Sequence, residues 1–237
     1  MVYIFALIAI LTASFIPFII ITTLIVIHEL GHFLTAKILK VEVNKIYLYP
    51  LGGISKFFLP LNSSYKKELL ILISGPLAQI LAQQVLLIIL PKETLLINTY
   101  HYGILVFNLL PIYPLDGGKL LHLFLSSLIP YKKSLSITIN ISYLMILILI
   151  FISENSLKLN YSIMIIFLLV KVYIEQSKIN YIYERFILER YLNNYYFKNS
   201  RLITNEKDFY KNKRHIIREK GRYYLEKEYL NKKYKKN

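Results

Sequence analysis

No charged side chain precedes Glu29, and this apolar run ends in the pentad His28-Glu29-Leu30-Gly31-His32. A run of 37 residues as one helix would be about 55 Å long, against a hydrocarbon core of about 30 Å. The chain must therefore turn, and Ser14–Pro17 is the natural place. Two imidazoles and a carboxylate in hydrocarbon are expensive, and membrane segments keep such groups where they pair, bind an ion or do chemistry. A fold built on this segment has to place them in a protein-lined interior.

Further apolar stretches follow, and 55% of the 237 residues are hydrophobic. A soluble domain of this length does not carry several uninterrupted apolar stretches of about fifteen to twenty residues. The expectation is an all-α polytopic membrane protein with a small α+β cytoplasmic tail. Six spans fit the pattern: residues 2–15, 17–38, 69–90, a broken 97–129, 135–152 and 159–174. The membrane domain is read as 1–174, a linker helix as 175–196 and a basic tail as 197–237. The first span lacks a basic stretch ahead of it and is read as retained, not as a secretory signal.

Lysine and arginine placement orients the spans. The Lys37–Lys67 connection holds six lysines, the next basic connection holds Lys132 and Lys133, and from Lys171 onward 18 basic residues face 8 acidic ones, a net of +10. The intervening connections carry Lys92 and Lys158 alone. The alternation predicts cytoplasmic termini and places His28 in the inner half of the bilayer.

On a helix, positions i and i+4 share a face, so His28 and His32 can reach one metal ion with Glu29 about a third of a turn round. This is the zinc-hydrolase pattern, with the glutamate as general base. There is no cysteine, so a metal must be held by His, Asp or Glu. A catalytic zinc takes three protein ligands and keeps a place for water. Asp116 is the best third ligand, in the segment Asn108-Leu109-Leu110-Pro111-Ile112-Tyr113-Pro114-Leu115-Asp116-Gly117-Gly118. Its prolines and glycines break the helix, and irregular backbone at membrane depth is tolerated where it lines a cavity or is buried in protein. Asp116 also precedes a helical stretch whose N-terminus favours the ionised carboxylate.

The bland readings stand beside these. Asn108 and Pro111 serve either as substrate contacts or as plain helix-breakers. His101 and His122 read as satisfied interior or interfacial histidines, and His215 lies in the tail. Gln79, Gln83 and Gln84 line a water path or, the simpler role, bond helix to helix. The Val43–Phe58 stretch forms either a membrane-embedded hairpin whose edge accepts substrate as an added strand or an ordinary loop.

The HExxH in a second span, with Asn-x-x-Pro-x-x-Pro-x-Asp-Gly-Gly after it, resembles the site-2 proteases, the intramembrane zinc metalloproteases. Leu30-Gly31-His32, Tyr49-Pro50-Leu51-Gly52-Gly53, Ser74-Gly75-Pro76, Phe107–Lys119 and Arg185–Tyr191 resemble the sporulation branch in particular. The resemblance covers roughly residues 1–200. It implies zinc on His28, His32 and Asp116, Glu29 as the catalytic glutamate, and substrate handling at Asn108 and Pro111. It implies as substrate a membrane-associated precursor, the sigma factor sigma-K, in the outer forespore membrane, and restraint by two inhibitory membrane proteins. The departure is at the C-terminus, where relatives carry a full cystathionine-β-synthase-type nucleotide-binding domain. Here Arg214–Leu225 reads as two strands around a Lys-Gly turn, followed by a helix over Glu226–Lys233, a shortened remnant too small to bury its own core.

Two other functions compete. A site-2-type protease acting on a membrane-anchored anti-sigma factor would carry an inserted extracytoplasmic peptide-binding domain, for which Leu90–Ile97 is too short. An ion-binding transporter would show an internal repeat, which this sequence lacks. For the basic tail, anionic lipid is the expected partner; no nucleic-acid module is recognisable, and no nucleic acid is expected.

Overall fold

The computed structural model describes residues 15–41, 43–49, 52–57, 60–153, 159–193, 195–219 and 221–234. The expected first span, 2–15, lies almost wholly outside them. The chain divides into two compact units, one of residues 1–59 and 66–109, the other of residues 60–65 and 110–237.

The first unit contains helix α1 (Phe15–Ile38), strands β1 (Val43–Tyr49) and β2 (Gly52–Phe57), helix α2 (Tyr65–Ile89) and helix α3 (Thr94–Leu109), the last preceded by a single 3₁₀ turn at Pro91–Glu93. Pro17 in the first turn of α1 costs nothing, because the N–H it lacks has no intrahelical partner there. The helix ends where Lys40 takes a positive φ of 55° and the Val41 N–H turns back to the Ala36 carbonyl at 2.9 Å, a left-handed cap that satisfies a terminal carbonyl. Ile20, Leu24, Ala82, Leu86 and Ile97 bury an apolar core shared by α1, α2 and α3. Gly31 brings α1 and α2 together: a Cβ there would lie 2.5 Å from the Ser74 carbonyl oxygen and 2.6 Å from Ala78 Cβ. Strands β1 and β2 pair antiparallel from Tyr49↔Gly52 back to Val43↔Phe57, with an irregularity between Val43 and Lys45. The stretch is thus a two-stranded hairpin.

The second unit holds α4 (Asp116–Leu128), α5 (Tyr131–Ser153), α6 (Leu159–Ser177), α7 (Ile179–Leu192), strands β3 (Ser200–Ile203), β4 (Arg214–Glu219) and β5 (Arg222–Leu225), and α8 (Glu226–Tyr234). β3 pairs parallel to β4, and β4 antiparallel to β5. The tail contributes Ile203, Phe209, Ile217 and Leu230 to a core completed by Tyr131 and Leu135 of α5 and by Tyr183, Phe186 and Ile187 of α7. The small sheet thus gains the apolar surface it lacks by folding onto neighbouring helices.

Inside this core the Arg190 guanidinium is buried and fully engaged. Nε donates to Asn62 Oδ1 at 2.6 Å, and the terminal nitrogens to Glu226 and to the Lys213, Tyr210 and Lys211 carbonyls. His215 takes the Tyr210 N–H at Nε2 and gives its Nδ1–H to Glu226.

Among the described residues three helices are long and apolar enough to cross a membrane: Phe15–Ile38, Tyr65–Ile89 and Tyr131–Ile152. Their outward faces expose Ile19, Leu34, Leu81, Val85, Leu147 and Phe151, the solvation expected of lipid-facing helices. The chain is mostly helical and has the character of an integral membrane protein. The broken fourth segment resolves into two helices of 16 and 13 residues, α3 and α4, with residues 110–115 between them.

Candidate metal centre

His28, Glu29 and His32 lie together on α1, all buried. The partners of the two imidazoles come from α2. His32 Nδ1 is 2.6 Å from the Ile71 carbonyl oxygen, which only accepts, so this nitrogen carries the proton and Nε2 is left as a lone-pair donor. His28 Nδ1 lies 2.9 Å from Gln79 Oε1. Gln79 is fully buried, and its Nε2 reaches the His101 carbonyl of α3 at 3.1 Å. Gly75 makes the room: a Cβ at that position would fall 2.2 Å from His32 Nε2. Ile71, Gly75 and Gln79 are spaced by four, so one face of α2 supplies an acceptor, a gap and a second acceptor to the facing histidines.

Asp116 opens α4 and is buried at the helix's N-terminal end, where backbone N–H groups favour a carboxylate. Lys119, one turn on, places its Nζ 3.1 Å from Asp116 Oδ1. The preceding loop is held by the Tyr113 N–H donating to Ser142 Oγ at 2.9 Å and by the Leu115 N–H to the Ile112 carbonyl. Gly118 lets that loop approach the helix, since a Cβ there would meet the Ile112 carbonyl carbon at 2.4 Å.

His28 and His32 of the first unit, and Asp116 at the head of α4 in the second, are the donors that a metal ion would draw on. The two imidazole Nε2 atoms are 3.1 Å apart, close to the roughly 3.3 Å of two nitrogens on one tetrahedral zinc. Two imidazoles and one carboxylate, with neither thiolate nor oxygen-rich cage, suit zinc. The residues present therefore fit that ion.

Of the remaining sequence candidates, Asn108 ends α3 half-buried and Pro111 sits in the loop before α4. His101 is buried against Gln79, and His122 bonds Ser134 and stacks edge-on with Tyr113 and Tyr131. Gln83 donates to Asn98 at 2.7 Å, an interhelical bond as expected, while Gln84 is exposed. What sequence reasoning missed is the support given by Ile71, Gly75 and Gln79. A glycine and a buried amide at i and i+4 in an apolar span were the available signal.

A mostly helical architecture of membrane character that buries a His-x-x-x-His pair on an apolar helix defines a class, that of membrane-embedded metal sites. Residues 16–100 match the model of Peptidase family M50. The stage IV sporulation protein FB of Bacillus subtilis (strain 168) is 32% identical over 178 residues, 71% of this chain and 61% of that protein. A zinc metalloprotease of Methanocaldococcus jannaschii is 34% identical over 151 residues, 60% of this chain and 44% of that protein. The solved site-2 protease from the same archaeon superposes with a TM-score of 0.58 at 28% identity, covering 73% of this chain and 87% of that one. The chain spans less than two thirds of the length of both sequence relatives.

Proposed function

We propose that this chain is an intramembrane zinc metalloendopeptidase that cuts a membrane-associated precursor near the cytoplasmic face, with the sigma-K precursor as its substrate during sporulation. The observation that carries the reading is the buried pair of histidines on α1, their Nε2 atoms 3.1 Å apart with Glu29 beside them. The similarity to a sporulation protein supports the choice of substrate. Six spans with both termini cytoplasmic, and inhibitory membrane proteins as partners, belong to the same proposal.

His28, His32 and Asp116 would hold the ion. When bound, zinc would supply a Lewis acid and lower the pKa of a water toward neutrality. Glu29, next to His28 on α1, accepts the proton of the attacking water and passes it to the leaving amine. A peptide bond inside a helix is shielded by its own hydrogen bonds, so the substrate must unwind before attack. The β1–β2 hairpin supports this step, because a strand edge can hold an unwound segment through backbone hydrogen bonds. Asn108 and Pro111, flanking the irregular segment before Asp116, position the substrate.

Co-expression with the genome's own sigma-K precursor tests the reading. Wild type shortens the precursor, and Glu29→Gln lowers the rate by about 10²- to 10⁴-fold while retaining zinc. A Glu29→Gln variant that processes as fast as wild type overturns the mechanism. A zinc-loaded wild type that leaves the precursor intact overturns the substrate.

A further inference from the structure

We infer that Gln79 is a positioning residue for the metal ligand His28, fixing which imidazole nitrogen faces the ion; the inference rests on the metal reading above. The orientation of the amide follows from its two partners. The His101 carbonyl can only accept, so the Gln79 end 3.1 Å away is the NH₂ group. Oε1 is then the atom 2.9 Å from His28 Nδ1, and an amide oxygen can only accept. His28 must therefore carry its proton on Nδ1, which leaves Nε2 as the ligand atom.

The arrangement is that of a metal-ligating histidine oriented by an outer hydrogen bond, with a neutral amide in place of the usual carboxylate. Neutrality suits the location. Glu29 is already buried beside His28 on α1, and a further buried carboxylate at membrane depth would add an uncompensated charge. The His101 carbonyl completes the chain from α1 through α2 to α3, so the position of α3 is transmitted to the ligand.

Metal affinity of purified full-length protein, measured by competition with a chromophoric chelator, tests this directly. Gln79→Leu removes the acceptor at similar volume and is expected to weaken zinc binding about 10- to 100-fold. Gln83→Leu is the control. It removes a buried interhelical bond of the same kind, to Asn98, one turn further along α2, and should leave zinc affinity unchanged. Gln79→Glu keeps an acceptor facing Nδ1 and should restore most of the affinity. The d–d absorption of the cobalt-substituted protein should change in Gln79→Leu and not in Gln83→Leu.

Equal losses in Gln79→Leu and Gln83→Leu, or none in either, overturn the inference. A wild type that takes up no zinc overturns the metal reading and this inference with it. If Gln79→Leu does not accumulate, Gln79→Asn withdraws the same amide by one methylene and is expected to show the same selective loss; wild-type affinity there overturns the inference.

Discussion

Gly75 is the position where the smallest change should have the largest effect. Its missing side chain is the space that His32 occupies, and a Cβ would sit 2.2 to 2.7 Å from three atoms of the ring. The ring cannot retreat without giving up the Ile71 carbonyl, so Gly75→Ala should displace the ligand. The expected outcome is at least a tenfold loss of zinc affinity with helix content unchanged, read by metal analysis and circular dichroism. At this scale the sequence was explicit about donors, and it marked their supports only faintly, with Gln79 read as an interhelical bond and not as the partner of His28. His28, Glu29, His32 and Asp116 stand out because their chemistry is costly in an apolar segment. Gly75 and Gln79 do not, because what each touches is set by how two helices meet, and helical period alone does not fix that.

At the scale of elements, the long charge-free segments that fall within the described residues are helices, the structure in which a single segment satisfies its own backbone in hydrocarbon. The broken segment was visible from its prolines and glycines, and α3 and α4 end and begin close to where those residues fall. The Val43–Phe58 stretch was ambiguous because a two-stranded hairpin is marginal by itself; here both strands also lie against α1. A test of the substrate role is Ile54→Pro in β2. It removes a backbone donor from the strand, and cleavage should fall at least tenfold with expression normal. Unchanged cleavage would leave the hairpin a structural element only. The extent of the tail sheet was harder to read: β4, β5 and α8 follow local pattern, whereas the parallel pairing of β3 with β4 is a long-range choice that no local signal carries.

For the molecule as a whole, the second unit's stability should depend on pH through His215 and Glu226. Burial lowers the His215 pKa from 6.5; the hydrogen bond to Glu226 opposes this, and the Arg190 charge adds to it. Burial alone would raise Glu226, but the His215 hydrogen bond and the Arg190 charge outweigh it and hold the carboxyl below 4.5. As pH falls below about 6.5 the unfolded chain binds a proton at His215 that the folded chain does not, so stability declines. A second decline follows below about 4.5, as pH approaches the folded pKa of Glu226. Limited proteolysis of the tail between pH 7.5 and 5 should show the first decline, and His215→Gln should flatten it. Arg190→Met leaves Glu226 buried without its cation and should destabilise the unit by about 3–5 kcal/mol, measured by denaturant unfolding.

Leu230 closes a core that Tyr131 opens, and the consequence is one of timing. A ribosome makes Tyr131 about a hundred residues before Leu230. At ~5–20 residues per second, the end of α5 waits at least several seconds with its aromatic surface unmatched. A chain interrupted between Phe186 and Leu230 is left with Tyr131, Tyr183 and Phe186 less covered, a patch of the kind that quality-control proteases and chaperones engage. Only a chain translated through Leu230 can cover this surface.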